Sequence, residues 1–363
     1  MTRLLGLGTA LPEASATQGE ALALALRIGA GVGAGAQRRA IEALYRRAGV
    51  QRRHVALDGP ERLPLRPHAE GPPGTAERMA HYVAKAPPLA ARASRAALRD
   101  ARLQPDAITH LVTVSCTGAS APGLDVELVR RLELSPGAER THVGFMGCHG
   151  ALSGLRLARA IAAGAPEARV LLCAVELCSL HFHYGVEPDK LVANALFADG
   201  AAAAVLGAGA DGDGGAGAPG NSGAPRLADA ATVLLPDSED AMNWTIGDAG
   251  FEMTLAPRVP QLVAEHLPGW LARWLARHAL SPARVGSWAV HPGGPRILGA
   301  VERALALPAG ATAVSRELLA SHGNMSSPTV LFLLERLRAA DDPRPWVALA
   351  FGPGLVVEAA LWD

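Results

Sequence analysis

The chain has 363 residues, no formal net charge, 49% hydrophobic residues and 19% charged ones. That balance supplies no general drive toward nucleic acid or an anionic membrane, and the length suits two domains or one large duplicated unit. Its four cysteines, Cys116, Cys148, Cys173 and Cys178, lack zinc-site spacing and are too few for a small secreted disulfide framework, so a reducing cytoplasm is the expectation.

In chain order, residues 4–8 read as a first strand, not a leader, because Gly6, Gly8 and Thr9 break a run already too short for one. No stretch reaches the roughly eighteen apolar residues of a spanning helix. Residues 18–28 look helical, 29–35 break in glycine, and 37–48 form a second helix rich in arginine. Solvated charge is the usual role of such arginines. The sharper one is a rim for a phosphate-bearing ligand, since guanidinium forks onto phosphate oxygens. Residues 58–74, rich in proline and glycine, read as a loop.

A buried helical stripe covers 89–103 and a short apolar strand 108–114, closed by Ser115-Cys116-Thr117-Gly118. A helix follows at 125–134, then an extended approach at 141–145. Cys148 next sits where a glycine-lined turn enters a largely apolar helix, 152–161. Helix-entrance N–H groups and the dipole's positive end favour thiolate there. A buried structural cysteine fits the same stretch. His149 is expected to face away on the helix. Glu176 ends a buried strand, 169–176, and is expected to bond the cysteine helix or a dimer region. Residues 201–206 form another strand, and 207–223 read as a linker.

The second half restarts with a strand at 230–235. A helix, 258–278, is interrupted near Pro268, and a strand, 285–290, ends at His291-Pro-Gly-Gly. After a helix at 296–305, the loop around Asn324 opens a helix at 329–337. The chain closes with strands at 346–350 and 355–361 around Phe351-Gly-Pro-Gly354. Both halves alternate strand and helix, which indicates α/β layers.

Cysteine, histidine and asparagine, one in each of three loops, suit thioester chemistry. Histidine serves as base or imidazolium partner, and an asparagine N–H donates to a developing oxyanion. An ordinary turn at His291 and an ordinary loop at Asn324 are equally compatible with spacing alone.

Nearly the whole chain, from Gly6-Leu-Gly-Thr-Ala-Leu-Pro12 to Phe351-Gly-Pro-Gly-Leu355, resembles the type III polyketide synthases. These are the chalcone-synthase-like branch of the thiolase superfamily, and the bacterial members are the nearer match. Trp288-Ala-Val-His-Pro-Gly-Gly-Pro295, Gly323-Asn-Met-Ser-Ser327 and Ala195-Leu-Phe-Ala-Asp-Gly200 carry that resemblance. It implies an α/β thiolase-like fold of two related halves, residues 1–222 and 223–363, in an αβαβα arrangement. It implies a homodimer without metal or redox cofactor that condenses an acyl-CoA starter with malonyl-CoA by decarboxylation.

Carried onto this chain, the resemblance assigns Cys148 as nucleophile, His291 as partner of its thiolate, and His291 with Asn324 as oxyanion donors. Arg46, Arg47 and Gly293 are expected to border coenzyme A. Phe197 matches one neck residue, and Met253 stands for the second. Cys116, Thr117, Cys178, His181 and Ser326 are expected in the cavity wall, with Phe351, Gly352, Pro353 and Gly354 as its floor. Trp244 stands where plant enzymes have glycine and shortens the cavity if its ring points inward, which the sequence leaves open. Two alternatives remain: the ketoacyl synthase that initiates fatty acid synthesis on malonyl-carrier protein, and a non-catalytic partner subunit.

Overall fold

The computed structural model describes residues 1–28, 35–57, 72–185, 187–208 and 223–363. Most of the expected glycine break, the 58–74 loop and the 207–223 linker lies outside the described residues. The first half holds β1 (Thr2–Ala10), β2 (Ser15–Thr17), α1 (Gln18–Ile28), α2 (Ala36–Arg47), β3 (Arg52–His54), α3 (Thr75–Ala101), β4 (His110–Ser115), α4 (Leu124–Leu132), β5 (Glu139–Gly144), α5 (Gly150–Gly164), β6 (Arg169–Leu177), α6 (Pro188–Leu196) and β7 (Asp199–Ala208). The second holds β8 (Leu227–Leu234), β9 (Met242–Gly247), β10 (Gly250–Leu255), α7 (Val259–Ala276), β11 (Ser287–Val290), α8 (Pro295–Ala304), α9 (Ala313–His322), α10 (Thr329–Ala339), β12 (Trp346–Gly352) and β13 (Val356–Trp362).

Each half builds one mixed sheet, with strand orders β1-β7-β6-β4-β5 and β11-β12-β13-β8. The internal duplication, invisible as a sequence repeat, lies in the pairing. In the first sheet β4 and β6 pair parallel, and β6–β7 and β7–β1 antiparallel. In the second, β11 and β12 pair parallel, and β12–β13 and β13–β8 antiparallel. Only the first sheet adds an outer strand, β5, parallel to β4.

Three of the four apolar cores among the described residues follow from this layering. One joins the facing sides of the two sheets around α5 and α10, which are buried as a middle layer. A second lies between the first sheet and α3 with α4, and a third between the second sheet and α7 with α8. Burial on both faces explains why β6, β7 and β12 read as unbroken apolar runs.

One helix starts well before its expected position, and another is continuous where an interruption was expected. α3 starts at Thr75 and runs through Pro87 and Pro88. Arg78, Tyr82 and Ala86, four residues apart and all buried, anchor the turns before the prolines, so packing overrides the local helix-breaking signal. α7 likewise continues through Pro268. The β9–β10 hairpin, α9 and the short β2–β3 pair had no sequence expectation.

Candidate active site

The middle layer aims its helix entrances at one place. Cys148 lies in a 3-10 turn, Gly147–His149, that runs directly into α5. Gly147 has φ +65°, and a Cβ there would lie 2.5 Å from Pro353 Cδ. Only glycine lets this turn press against the Phe351–Gly354 turn. Gly352 serves the same closeness from the other side, since a Cβ on it would meet the His149 ring at 2.2 Å.

Asn324 precedes α10. Its backbone is tied to α6, with Asn324 N donating to Leu196 O at 2.9 Å and Ala198 N donating to Asn324 O at 2.8 Å. Its Oδ1 accepts the Ser326 N–H at 2.8 Å. The side-chain amide is thereby oriented, with its NH2 as the group left to donate, and it reaches Cys148 together with the Ser326 hydroxyl. The structure thus brings Cys148, Asn324 and Ser326 together.

His291 follows β11, its N–H on Leu349 O at 2.7 Å. Its ring feels the charge of His149, is 1% exposed, and has no hydrogen-bond partner on either nitrogen among the described residues.

Burial works against the thiolate expected at a helix entrance. Burial pushes the Cys148 thiol up to about 11, with the Ser326 and Asn324 hydrogen bonds opposing it. Burial and neighbouring His149 hold His291 at about 3. Desolvation thus favours the neutral form of each group, thiol and imidazole, and works against the end of the helix dipole. Cys148 nevertheless keeps partial exposure.

Behind the nucleophile, Glu176 is fully buried and accepts from Cys116 N at 3.0 Å, Thr117 Oγ1 at 2.7 Å and Ser327 Oγ at 2.6 Å. Burial raises its pKa, and these donors oppose the rise. The carboxylate joins the Cys116–Thr117 turn to the Asn324 loop, where a bond to the cysteine helix was one expectation. His149 bonds Ser153 at 3.1 Å, on the turn above it in α5.

A cavity of about 370 Å3 lies between α1, α6 and the β9–β10 hairpin, and Phe197, Met253, Cys178, His181 and Trp244 all line it. The Trp244 ring points inward, with Nε1 donating to Cys116 O at 2.7 Å. His181 is locked in one tautomer: it accepts the Phe251 N–H on Nδ1 at 2.9 Å and donates from Nε2 to Thr117 O at 2.7 Å. Burial lowers its pKa to about 4, and it stacks on Phe251 with centroids 4.3 Å apart.

Cys116, Thr117, Ser326 and Phe351, Gly352, Pro353 and Gly354, expected as its wall and floor, do not line this cavity, and neither do Cys148, His291 and Asn324, nor Arg46 and Arg47, exposed at the end of α2, nor Gly293, in the turn after His291. Two contributors escaped the sequence reading. Phe251 shares a strand face with Met253, so period-two alternation held the signal. Arg53, buried, donates to the carbonyls of Asn194, Ala195 and Phe197 and so fixes the neck residue. Nothing local marks it among the other arginines.

Residues 1–210 match the N-terminal domain of the chalcone and stilbene synthases, and residues 226–363 the C-terminal domain. The 1,3,6,8-tetrahydroxynaphthalene synthase of Streptomyces peucetius subsp. caesius is 38% identical over 90% of this chain and 84% of that protein. The alpha-pyrone synthesis polyketide synthase-like Pks18 of Mycobacterium tuberculosis is 30% identical over 99% of this chain and 90% of its own length. Among solved structures, PKS-I of the brown alga Ectocarpus siliculosus superposes with a TM-score of 0.91 at 30% identity, covering 100% of this chain and 98% of the other.

Proposed function

The chain belongs to the chalcone and stilbene synthase family and is a type III polyketide synthase, an acyltransferase-type condensing enzyme, and from that premise we propose that Cys148, His291 and Asn324 perform its condensation. The observations that carry this reading are the Asn324 amide at the thiol and the unpartnered, buried His291 ring. The Asn324 amide already reaches Cys148, and the His291 nitrogens are buried without partners. An unpaired buried imidazole is costly unless a ligand completes it. A thioester oxygen does so.

In this scheme Cys148 attacks the acyl-CoA carbonyl as His291 accepts the thiol proton, which then leaves on the coenzyme A thiol. Malonyl-CoA next loses carbon dioxide, and the released electron pair becomes an enolate held at oxygen by N–H donors of Asn324 and His291. The enolate carbon attacks the acyl-cysteine and expels the Cys148 thiolate. Return of the lengthened acyl group to Cys148 releases coenzyme A, so each extension takes up one proton. No other cofactor enters.

Mass spectrometry of products from malonyl-CoA with a panel of short, long and aromatic acyl-CoAs tests the reading. Products that grow by two-carbon units are expected. Turnover only with malonyl-carrier protein would overturn it in favour of an initiating ketoacyl synthase.

Trp244 is proposed to limit the product, because its ring lines the cavity and is pinned to Cys116 O. Trp244→Gly is expected to shift products toward longer chains or bulkier starters. An unchanged distribution would refute that role. Arg46, Arg47 and Gly293 are proposed to contact coenzyme A outside the cavity. Charge removal at both arginines should weaken coenzyme A binding in calorimetry, and equal affinity would dismiss them.

A homodimer is proposed as well. β5 is an outer strand with mostly exposed residues, and Phe145 beyond it is 45% exposed; a monomer mass in sedimentation would reject it. A division into residues 1–222 and 223–363 is supported by one sheet on each side. Among the described residues no helix is long and apolar enough to cross a membrane. Action in the cytoplasm is our reading, and recovery of the protein outside the cell would contradict it.

A further inference from the structure

Only two of the 34 lysines and arginines in the chain are lysine, and one of them, Lys190, lines the cavity. It stands in the first turn of α6, where the positive end of the helix disfavours a cation. Its Nζ donates to Glu252 Oε2 at 2.7 Å, and the two side chains keep 20% and 40% exposure. A pair this exposed adds little stability.

Its position is more informative. α6 leads into Phe197, and Glu252 precedes Met253 on β10. The ion pair therefore joins the same two elements that present the proposed neck residues. The other lysine or arginine cations of the lining, Arg53 and Arg78, are buried and donate to backbone carbonyls. Lys190 instead holds a carboxylate that water can solvate.

We propose that Lys190 is a recognition cation at the cavity neck that exchanges Glu252 for an anionic oxygen of the incoming thioester. The exchange replaces one oxyanion by another on the ammonium and leaves Glu252, still partly exposed, to water. The oxyanion comes from the malonyl carboxylate or from a coenzyme A phosphate. The inference rests on the proposed function and takes this cavity, which holds the proposed neck residues Phe197 and Met253, as the path of the thioester.

Steady-state kinetics on the purified enzyme test it with two substrates: malonyl-CoA, and the malonyl thioester of N-acetylcysteamine, which keeps the carboxylate and lacks the phosphates. Lys190→Met is expected to raise KM for malonyl-CoA about fivefold with kcat retained, the effect of losing one exposed ion pair. Glu252→Gln is expected to lower it. An equal rise with the short thioester assigns the carboxylate, and a rise with malonyl-CoA alone assigns a phosphate. An unchanged KM for both substrates in Lys190→Met overturns the proposal. If that variant does not fold, Glu252→Gln decides, and a KM that does not fall overturns it. A wild-type enzyme that condenses no coenzyme A thioester fails the proposed function instead.

Discussion

Replacing Cys148 by alanine is expected to remove polyketide formation, by at least about a thousandfold, because every bond-forming step proceeds through its acyl thioester. The wild-type thiol carries a second expectation. Burial raises it to about 11 while His291 is held at about 3. A group with a raised pKa stays protonated until the pH approaches that value, so the thiolate fraction grows about tenfold per pH unit below it. Alkylation of ligand-free Cys148 by iodoacetamide should then climb steadily from pH 7 to pH 10, without a plateau near neutrality. A plateau below pH 7 would mean a standing thiolate–imidazolium pair. Residual two-carbon extension in Cys148→Ala would remove this cysteine from the mechanism. The measurements together separate a missing nucleophile from one that is present but differently ionised.

The second large effect is expected at Asn324. Its Oδ1 is occupied by the Ser326 N–H, so the loop needs the acceptor and the chemistry needs the NH2. Asn324→Asp keeps the acceptor and exchanges the donor for a second oxygen that repels the enolate. Its kcat should fall about 100- to 1000-fold, the usual cost of one oxyanion donor, while folding is preserved. Decarboxylation of malonyl-CoA, followed as carbon dioxide release, should fall in parallel. Acylation of Cys148 by the starter should fall less, because no enolate forms in that step. Undiminished carbon dioxide release would exclude Asn324 from enolate stabilisation.

The sequence by itself determined the chemistry-bearing loops. Cys148 in its glycine turn, His291 at a strand end and Asn324 before an apolar helix are local patterns, and local pattern is what a linear reading resolves. It also carried the strands buried on both faces, because unbroken apolar runs such as 201–206 have few other homes. Only the tertiary structure decided that the two halves share one sheet topology, since pairing order is a non-local property. It alone decided that α3 begins before its prolines, where Arg78, Tyr82 and Ala86 find a core. The inward turn of Trp244 depends on a carbonyl 128 residues away in the chain. The ionisation of Cys148 depends on both scales. The helix end that favours thiolate is local, whereas the desolvation that opposes it comes from the layers packed on either side.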